Sequence, residues 1–540
     1  MPKRLCVLLA CLATSLTAAE PTRYRITDEV LHPIDHRLFG QFLERPSWGG
    51  ETGPEFVADA SGELDADVMD IVRRIDPPIV RYPGGTDIDY LDWTDLIDNA
   101  PGRDATARPD SVGHKGGKIT NRFGLDEYLN LAEAEGWQSI LVVNFRDALM
   151  EVRSMDDAKR HAAAMIAYVN GVASEATDDH ARRYVDARIA NGRTKPWAVK
   201  IWQIGNETWA FEKELREKFG DDAMQTYADR LVAVADAMTA VDPTIRFIVD
   251  GQGYTYDATS LAAERLGDRL EAVADHIYQP WGIGEVTRNG EPVDASELSA
   301  EEIWSAWVAT PDFDEAGLAV HRSNAVVRAR ERGEFIGCTE WNWNGWWGTE
   351  PVALNSRYAK GVGAAGFLQA MMRGGDVIRI GCQSMLIGHS WGIAAVDVDG
   401  DRHRPPVLSP TGAATTLYRH HHGDRRLRIE SADVPTYRQP YRMNSTHARD
   451  VVATLDALAT ADDDSVYLHV INRSWDTDLP IEITTDRPIG GGPTVHRMSP
   501  DGLDAATLRS HRIDAPESDG QLRLTIPART VNVIELPTSE

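Results

Sequence analysis

Between Leu31 and Cys382 the chain alternates short apolar runs with longer stretches whose apolar residues recur every three to four positions. The short runs predict eight strands: Leu38–Phe42, Ile79–Tyr82, Ser139–Asn144, Val199–Ile204, Arg246–Asp250, Ala274–Tyr278, Glu334–Thr339 and Asp376–Gly381. The longer stretches predict helices over Glu63–Ile75, Leu125–Glu135, Asp156–Tyr168, Met224–Ala240, Ser260–Val273, Glu315–Arg332 and Arg357–Arg373. Strand and helix in alternation are the mark of βα units around a parallel sheet. Eight of them argue for an α/β class chain folded as a (β/α)8 TIM barrel, with its site at the C-terminal ends of the strands.

Past Cys382 the pattern changes. Ala394–Asp401 reads as a hairpin turning at Asp399-Gly400. A calcium-loop reading of the same stretch fails, because Arg402 and Leu408 stand where a Gly and a Glu are required. From Asp450 onward short alternating runs dominate, clearest in Ser465–Asn472 and followed by Leu522–Ile526 and Val531–Leu536. They predict a C-terminal antiparallel β-sandwich. The expected layout is a barrel over 34–392 and a sandwich over 393–540.

The amino terminus carries a different pattern. Lys3 and Arg4 precede the apolar run Leu5–Leu12, and Thr17-Ala18-Ala19 offers small residues for cleavage before Glu20. Residues 1–19 are therefore expected to be a signal peptide, and the protein secreted or periplasmic. The run is too short to span a membrane. Leu8-Leu9-Ala10-Cys11 also fits a lipid anchor, but its cysteine falls early in the segment, and secretion is the expectation. Of four cysteines only Cys338 and Cys382 lie outside it. A disulfide framework does not hold this protein together; one bridge or two buried reduced thiols both fit, the second being the plainer reading.

Charge removes several classes of partner. With 56 Lys and Arg against 83 Asp and Glu, the formal net charge of −27 repels nucleic acid and anionic membranes. A neutral polysaccharide or oligosaccharide fits better. Three consecutive histidines, His420-His421-His422, cannot all point one way and read as a solvated loop, so no metal and no cofactor is expected.

Candidate chemistry lies at two strand ends. Val199–Trp209 is an apolar run that stops on Gly205, Asn206 and Glu207, and Glu334–Asn342 ends likewise on Glu340. Among so many acidic residues a strand-end glutamate can be an ordinary solvated or salt-bridged group. Two of them suggest a retaining glycosidase, which needs one protonated carboxyl and one ionised nucleophile. Gly205 permits a tight turn, Asn206 sets an amide beside the carboxylate, and Trp202, Trp209, Trp341, Trp343, Trp346 and Trp347 offer flat faces for sugar rings or for the core. Other strand ends bring Phe39–Glu44, Arg81–Asp89, Asn144 and His276-Ile277-Tyr278 to the same face.

The run Gly205-Asn206-Glu207 on strand four with Glu340 on strand seven resembles clan A of the glycoside hydrolases. More narrowly the chain resembles glycoside hydrolase family 51, the α-L-arabinofuranosidases. The likeness runs through Gly40–Glu44, Arg81–Gly85 with Asp89, Trp93 and Asp95, Phe123–Glu127, Val143-Asn144, Asn191-Gly192, Val199–Glu207, His276 with Tyr278, and Glu340-Trp341-Asn342. It continues past the barrel at Val470–Arg473 and Val531–Ile534. The resemblance implies Glu207 as acid/base and Glu340 as nucleophile, with Glu44, Asn206 and Tyr278 touching the sugar or the nucleophile. Thr86, Asn144, His276, Trp341 and Met385 complete the expected pocket. It also implies that the segment 20–33, through Tyr24–Thr27, joins the sandwich, and it makes a homo-oligomer an expectation. Two positions depart from the family pattern: Thr86 replaces a Cys or Asn, and Met385 replaces a glutamine on strand eight, unless Gln383 is its true counterpart. The alternatives are another clan A retaining glycosidase, such as a β-xylosidase or an endo-glycanase, and a sugar-binding protein without catalysis.

Overall fold

The computed structural model describes residues 20–45, 53–113, 116–175, 178–250, 257–280, 283–309, 325–343, 357–389, 392–399, 403–443, 446–502, 504–514 and 521–538. Residues 1–19, Trp346, Trp347, Gly400 and the start of the helix expected at Glu315 lie outside the described residues.

Eight parallel strands close into a barrel. In chain order they are Gly40–Phe42, Ile79–Tyr82, Gln138–Val143, Ile201–Ile204, Arg246–Val249, Leu270–Gln279, Ile336–Trp343 and Ile378–Ser384. Their apolar runs are continuous because both faces are buried. Ile79, Ile140, Ile201, Ile248, Ile380 and Cys382 fill the lumen. Their neighbours Val80, Leu141, Trp202 and Phe247 pack outward with the helices. The same alternation parts the cysteines. Cys338 packs in the outer layer and Cys382 inside the barrel, and both are free thiols.

The helices Leu125–Glu135 and Arg357–Arg373 have the expected bounds, and Met155–Asn170 and Ala223–Thr239 differ by a residue or two. The helix expected over Ser260–Val273 instead spans Asp257–Leu266. Gly267 takes a left-handed φ of 54° and ends it, and the sixth strand starts at Leu270. Leu38 and Phe39, expected in the first strand, belong to a 3-10 turn over His36–Phe39 that Asp35 caps. Among the described residues no helix is long and apolar enough to cross a membrane.

The barrel does not hand over to the sandwich at 392/393. After Ile378–Ser384 the chain forms the short antiparallel pair Val396–Asp397 and Val407–Leu408, whose second strand lies beyond the Asp401 end of the expected hairpin, and then the helix Pro410–His420. That helix is the eighth of the barrel: Gln369 Nε2 on Arg357–Arg373 donates to Tyr418 Oη at 2.8 Å, and Gly361 leaves room for Pro410. The sandwich therefore begins at Arg425–Ala432.

Its nine strands form one sheet that includes the amino-terminal strand Thr22–Pro33, paired antiparallel with Arg425–Ala432 and parallel with Leu479–Thr485. Tyr24 and Ile26 share a core with Leu468, Val495, Leu522 and Ile534, drawn from both ends of the sheet order, so the sheet curls over itself.

His420, His421 and His422 close the eighth helix where it meets the sandwich, and the solvated loop expected there is not what forms. His420 Nε2 lies 2.9 Å from the Arg74 carbonyl, and His421 stacks on His496 at 3.4 Å between ring centroids. His422 Nδ1 lies 3.0 Å from the Tyr418 carbonyl. Ring nitrogens of His421 and His496 and an oxygen of Glu535 fall within 4.8 Å of one another, a spacing a metal could use. The two rings are only 15° from parallel, so their in-plane lone pairs do not converge on one point.

Burial holds three of the imidazoles in this region neutral. It pushes His469, behind Tyr418, and His421 down to about 3, and His422 to about 4. In the unfolded chain each protonates near its ordinary pKa of about 6.5. Each contributes stability above that pH, and the contribution drains away as pH falls toward the folded values. The urea midpoint should thus drop between about pH 7 and pH 5.5, before most carboxylates titrate. His469→Gln should flatten that slope; a wild-type midpoint constant over the interval contradicts the account.

Candidate active site

The turn after strand four sets the first carboxylate. Gly205 has a φ of 83°, and a Cβ there would lie 2.6 Å from Thr208 Cγ2 and 3.1 Å from Phe145. Glu207 itself is left-handed at φ 47°, which costs a residue with a Cβ about 1–2 kcal/mol. The turn is pinned from strand five: Thr208 N donates to Asp250 Oδ2 at 2.7 Å, and Tyr227 Oη donates to the Asp250 carbonyl at 2.8 Å.

Strand seven sets the second. Against strand six, Cys338 pairs with Asp275 and Glu340 with the next residue, His276, which leaves Thr339 as a bulge. The bulge lets two successive side chains face the site. Thr339 Oγ1 lies 2.9 Å from His276 Nε2, and Glu340 Oε1 lies 3.6 Å from His276 Nδ1. The phase then resumes and turns Trp341 outward, where it stacks on Phe367 at 5.0 Å. Trp341, expected against the sugar, is fully buried in the helix layer. Trp343 is also buried, over Gly363.

One oxygen each of Glu207 and Glu340 and a ring nitrogen of His276 lie within 4.8 Å of one another. His276 Nδ1 is 3.1 Å from Glu207 Oε1. Both oxygens of Glu340 are occupied. Arg81 Nη1 donates to Oε1 at 2.8 Å, and Tyr278 Oη donates to Oε2 at 2.7 Å. Each oxygen of Glu340 thus accepts one hydrogen bond and keeps a second lone pair, and the spacing of the trio would suit a metal. Burial opposes the charge of Glu340, but His276, Arg81 and the Tyr278 hydroxyl together hold its carboxyl below the usual range. Burial likewise opposes a charge on His276, and Glu340, then Glu207 and Asp250, raise it above the ordinary histidine value.

Arg81 is the hub of the site. It is fully buried on strand two, lies 4.7 Å over the Phe42 ring, and spends its other donors on Gln203 Oε1 at 2.9 Å and Asn206 Oδ1 at 2.6 Å. Asn206 is thereby oriented with a buried Nδ2 that has no partner among the described residues. That amide keeps its N–H donors unspent. Glu44 is buried against Gly85, where φ is 76° and a Cβ would come within 2.0 Å of its Oε1. Thr86 follows, half-buried, at the start of a 3-10 turn.

Two expected pocket residues, and the alternative to one of them, have other surroundings. Asn144 ties loops together: its Nδ2 donates to the Asp89 and Leu91 carbonyls at 3.3 and 3.2 Å, and its Oδ1 accepts from Asp147 N at 3.1 Å. Met385 is buried in the apolar lumen cluster with Phe42 and Cys382. Gln383, its alternative, faces the helix layer, with Gln41 Nε2 donating to its Oε1 at 3.1 Å and its own Nε2 donating to the Thr411 carbonyl at 3.2 Å. Between them, Ser384 Oγ lies 2.7 Å from Tyr278 Oη. The polar group that strand eight brings to the carboxylate pair is Ser384.

The family model described as the alpha-L-arabinofuranosidase 1 domain matches residues 71–282. A probable alpha-L-arabinofuranosidase C of Aspergillus flavus is 29% identical over 45% of this chain, and an intracellular exo-alpha-(1->5)-L-arabinofuranosidase of Bifidobacterium longum 28% identical over 54%. These alignments cover 42% and 48% of the relatives, so the chain spans under half the length of each. Among solved structures, a family 51 alpha-L-arabinofuranosidase from Bifidobacterium longum superposes with a TM-score of 0.69 at 21% identity, over 95% of this chain and 99% of the other. The chain thus matches the alpha-L-arabinofuranosidase 1 domain over residues 71–282 and has the fold of the family 51 arabinofuranosidases.

Proposed function

We propose that this protein is a retaining glycoside hydrolase that releases terminal α-L-arabinofuranose from plant or algal polysaccharide by double displacement. The observation that carries the reading is the carboxylate pair: an oxygen of Glu207 within 4.8 Å of one of Glu340, with Glu340 held ionised by Arg81 and Tyr278. Retaining enzymes keep their carboxyl groups about 5–5.5 Å apart, whereas inverting ones leave about 6.5–9.5 Å for a water.

In the first step Glu340 attacks the anomeric carbon as Glu207 gives its proton to the departing oxygen. An ester between the sugar and Glu340 results. In the second step Glu207 takes a proton from water as that water attacks the same carbon and releases Glu340. His276, in contact with Glu207 and near Glu340, favours the negative form of Glu340 as it is released. The unpartnered amide of Asn206 supplies a donor beside the reacting centre.

A panel of aryl glycosides alongside intact arabinan, xylan and β-glucan tests the substrate class. The reading predicts the highest kcat/KM on the α-L-arabinofuranoside, with arabinose as the released sugar. A preference for the xyloside, or cleavage within a chain, would move the assignment to another clan A glycosidase. Absence of hydrolysis on every substrate would leave a binding protein.

A further inference from the structure

Tyr278 has one hydroxyl proton and two oxygen neighbours at 2.7 Å, Glu340 Oε2 and Ser384 Oγ. Both cannot receive it. Burial and the adjacent Glu340 push the tyrosine well above its ordinary pKa, so it stays protonated, while Glu340 stays ionised. A carboxylate accepts only, and a hydrogen bond to a charged acceptor is about twice as strong as a neutral one. The proton therefore points to Glu340. The contact on the other side is then satisfied by the Ser384 hydroxyl donating to the tyrosine oxygen.

We propose that Ser384 is a positioning residue for the nucleophile, acting through Tyr278: its hydroxyl directs the single tyrosine proton onto Glu340. The inference rests on the assignment of Glu340 as nucleophile. The serine is well placed for this. It is 2% exposed at the end of strand eight, and its carbonyl accepts from Asn342 Nδ2 at 2.6 Å, two residues past Glu340 on strand seven. Strands six, seven and eight are thus closed at one point by a hydroxyl chain that runs Ser384 to Tyr278 to Glu340.

The chain also has a second setting. Once Glu340 is esterified its negative charge is gone, and Oε2 becomes a weaker acceptor than before. Rotation of two hydroxyls lets Tyr278 donate to Ser384 instead, with no proton changing owner and no bond broken. When water frees Glu340, the first setting returns. The serine hydroxyl can serve the tyrosine as donor in the first setting and as acceptor in the second.

Ser384→Ala and Ser384→Thr test this, read through the pH profile of kcat/KM on an aryl glycoside that the wild-type enzyme hydrolyses. Without the serine donor, Tyr278 is a poorer donor to Glu340, and the carboxyl moves back toward the ordinary range. Ser384→Ala should shift the acidic limb of the profile upward and lower kcat by about three- to tenfold, the range of a lost neutral hydrogen bond. Ser384→Thr, which keeps the hydroxyl, should restore both. A wild-type limb in Ser384→Ala overturns the proposal, whether kcat is unchanged or falls in step with thermal stability. Trapping of the wild-type enzyme with a slow 2-fluoro glycosyl substrate keeps this separate from the parent assignment. A label on Glu340 with an unaltered Ser384→Ala limb sinks the serine role alone, whereas a label elsewhere sinks the assignment of the nucleophile.

Discussion

Glu340→Ala should lose turnover on every substrate, activated aryl glycosides included, by about 10⁴-fold or more, as when a nucleophile that forms a covalent intermediate is removed. The substitution leaves Arg81 facing a cavity with its Nη1 unpaired, and Tyr278 without its strongest acceptor. Some stability will therefore be lost as well. Azide separates the two effects. A small anion that enters the vacancy can attack the anomeric carbon from the side Glu340 occupied, giving a glycosyl azide of inverted configuration. Recovery of that product demonstrates an intact site missing only its nucleophile. Residual turnover near the wild-type rate would remove Glu340 from the mechanism.

Glu207→Ala should behave differently. General acid–base catalysis is worth about 10²–10⁴-fold, so natural glycosides, whose leaving oxygen needs a proton, should lose activity in that range. An aryl glycoside with a good leaving group needs no proton to depart. Its first step should survive, the ester on Glu340 should accumulate, and the burst of phenol should be followed by a slow steady state. Azide needs no base to attack, so it should speed that second step and yield a glycosyl azide of retained configuration. Equal losses on poor and good leaving groups, without rescue, would contradict the role. Because Glu207 occupies a left-handed turn held by Asp250 through Thr208, Glu207→Gln is a useful companion: it keeps the shape while removing the proton.

The barrel was legible because its strands are buried on both faces and its helices on one. Two physically distinct periods resulted, and eight strands could be counted. Helices were missed where that contrast is absent. Pro410–His420 is buried nearly throughout and rich in threonine, so it has no polar face to set a period. Asp179–Ala190 is the opposite case, with only a few buried positions among charged ones. The first of these omissions also misplaced the domain boundary, since the barrel's last helix was counted with the sandwich.

That the two glutamates would stand together was legible from the pattern, since each closes an apolar run and a barrel of parallel strands brings such ends to one face. Their supporting residues were not, because each draws its role from pairing across strands. Arg81 reads as one polar residue between Val80 and Tyr82, and its importance appears only when Gln203, Asn206 and Glu340 arrive from strands four and seven. A charged residue inside an apolar strand is itself a signal, because a buried guanidinium has to be paired. Trp341 misled by adjacency: a neighbour of a site residue on a strand points the other way. On strand eight the choice lay between Gln383 and Met385; the same alternation turns Gln383 outward and Ser384 toward the site, while Met385 lies past the strand end.

The most direct test of the paired-carboxylate mechanism is the configuration of the first product. Hydrolysis of an aryl α-L-arabinofuranoside in aqueous methanol, followed by proton NMR, yields a methyl arabinofuranoside that cannot mutarotate and so records the stereochemistry of transfer. A close Glu207–Glu340 pair acting by double displacement predicts the α-anomer. The β-anomer as first product would mean a single displacement and would contradict the roles assigned to both residues.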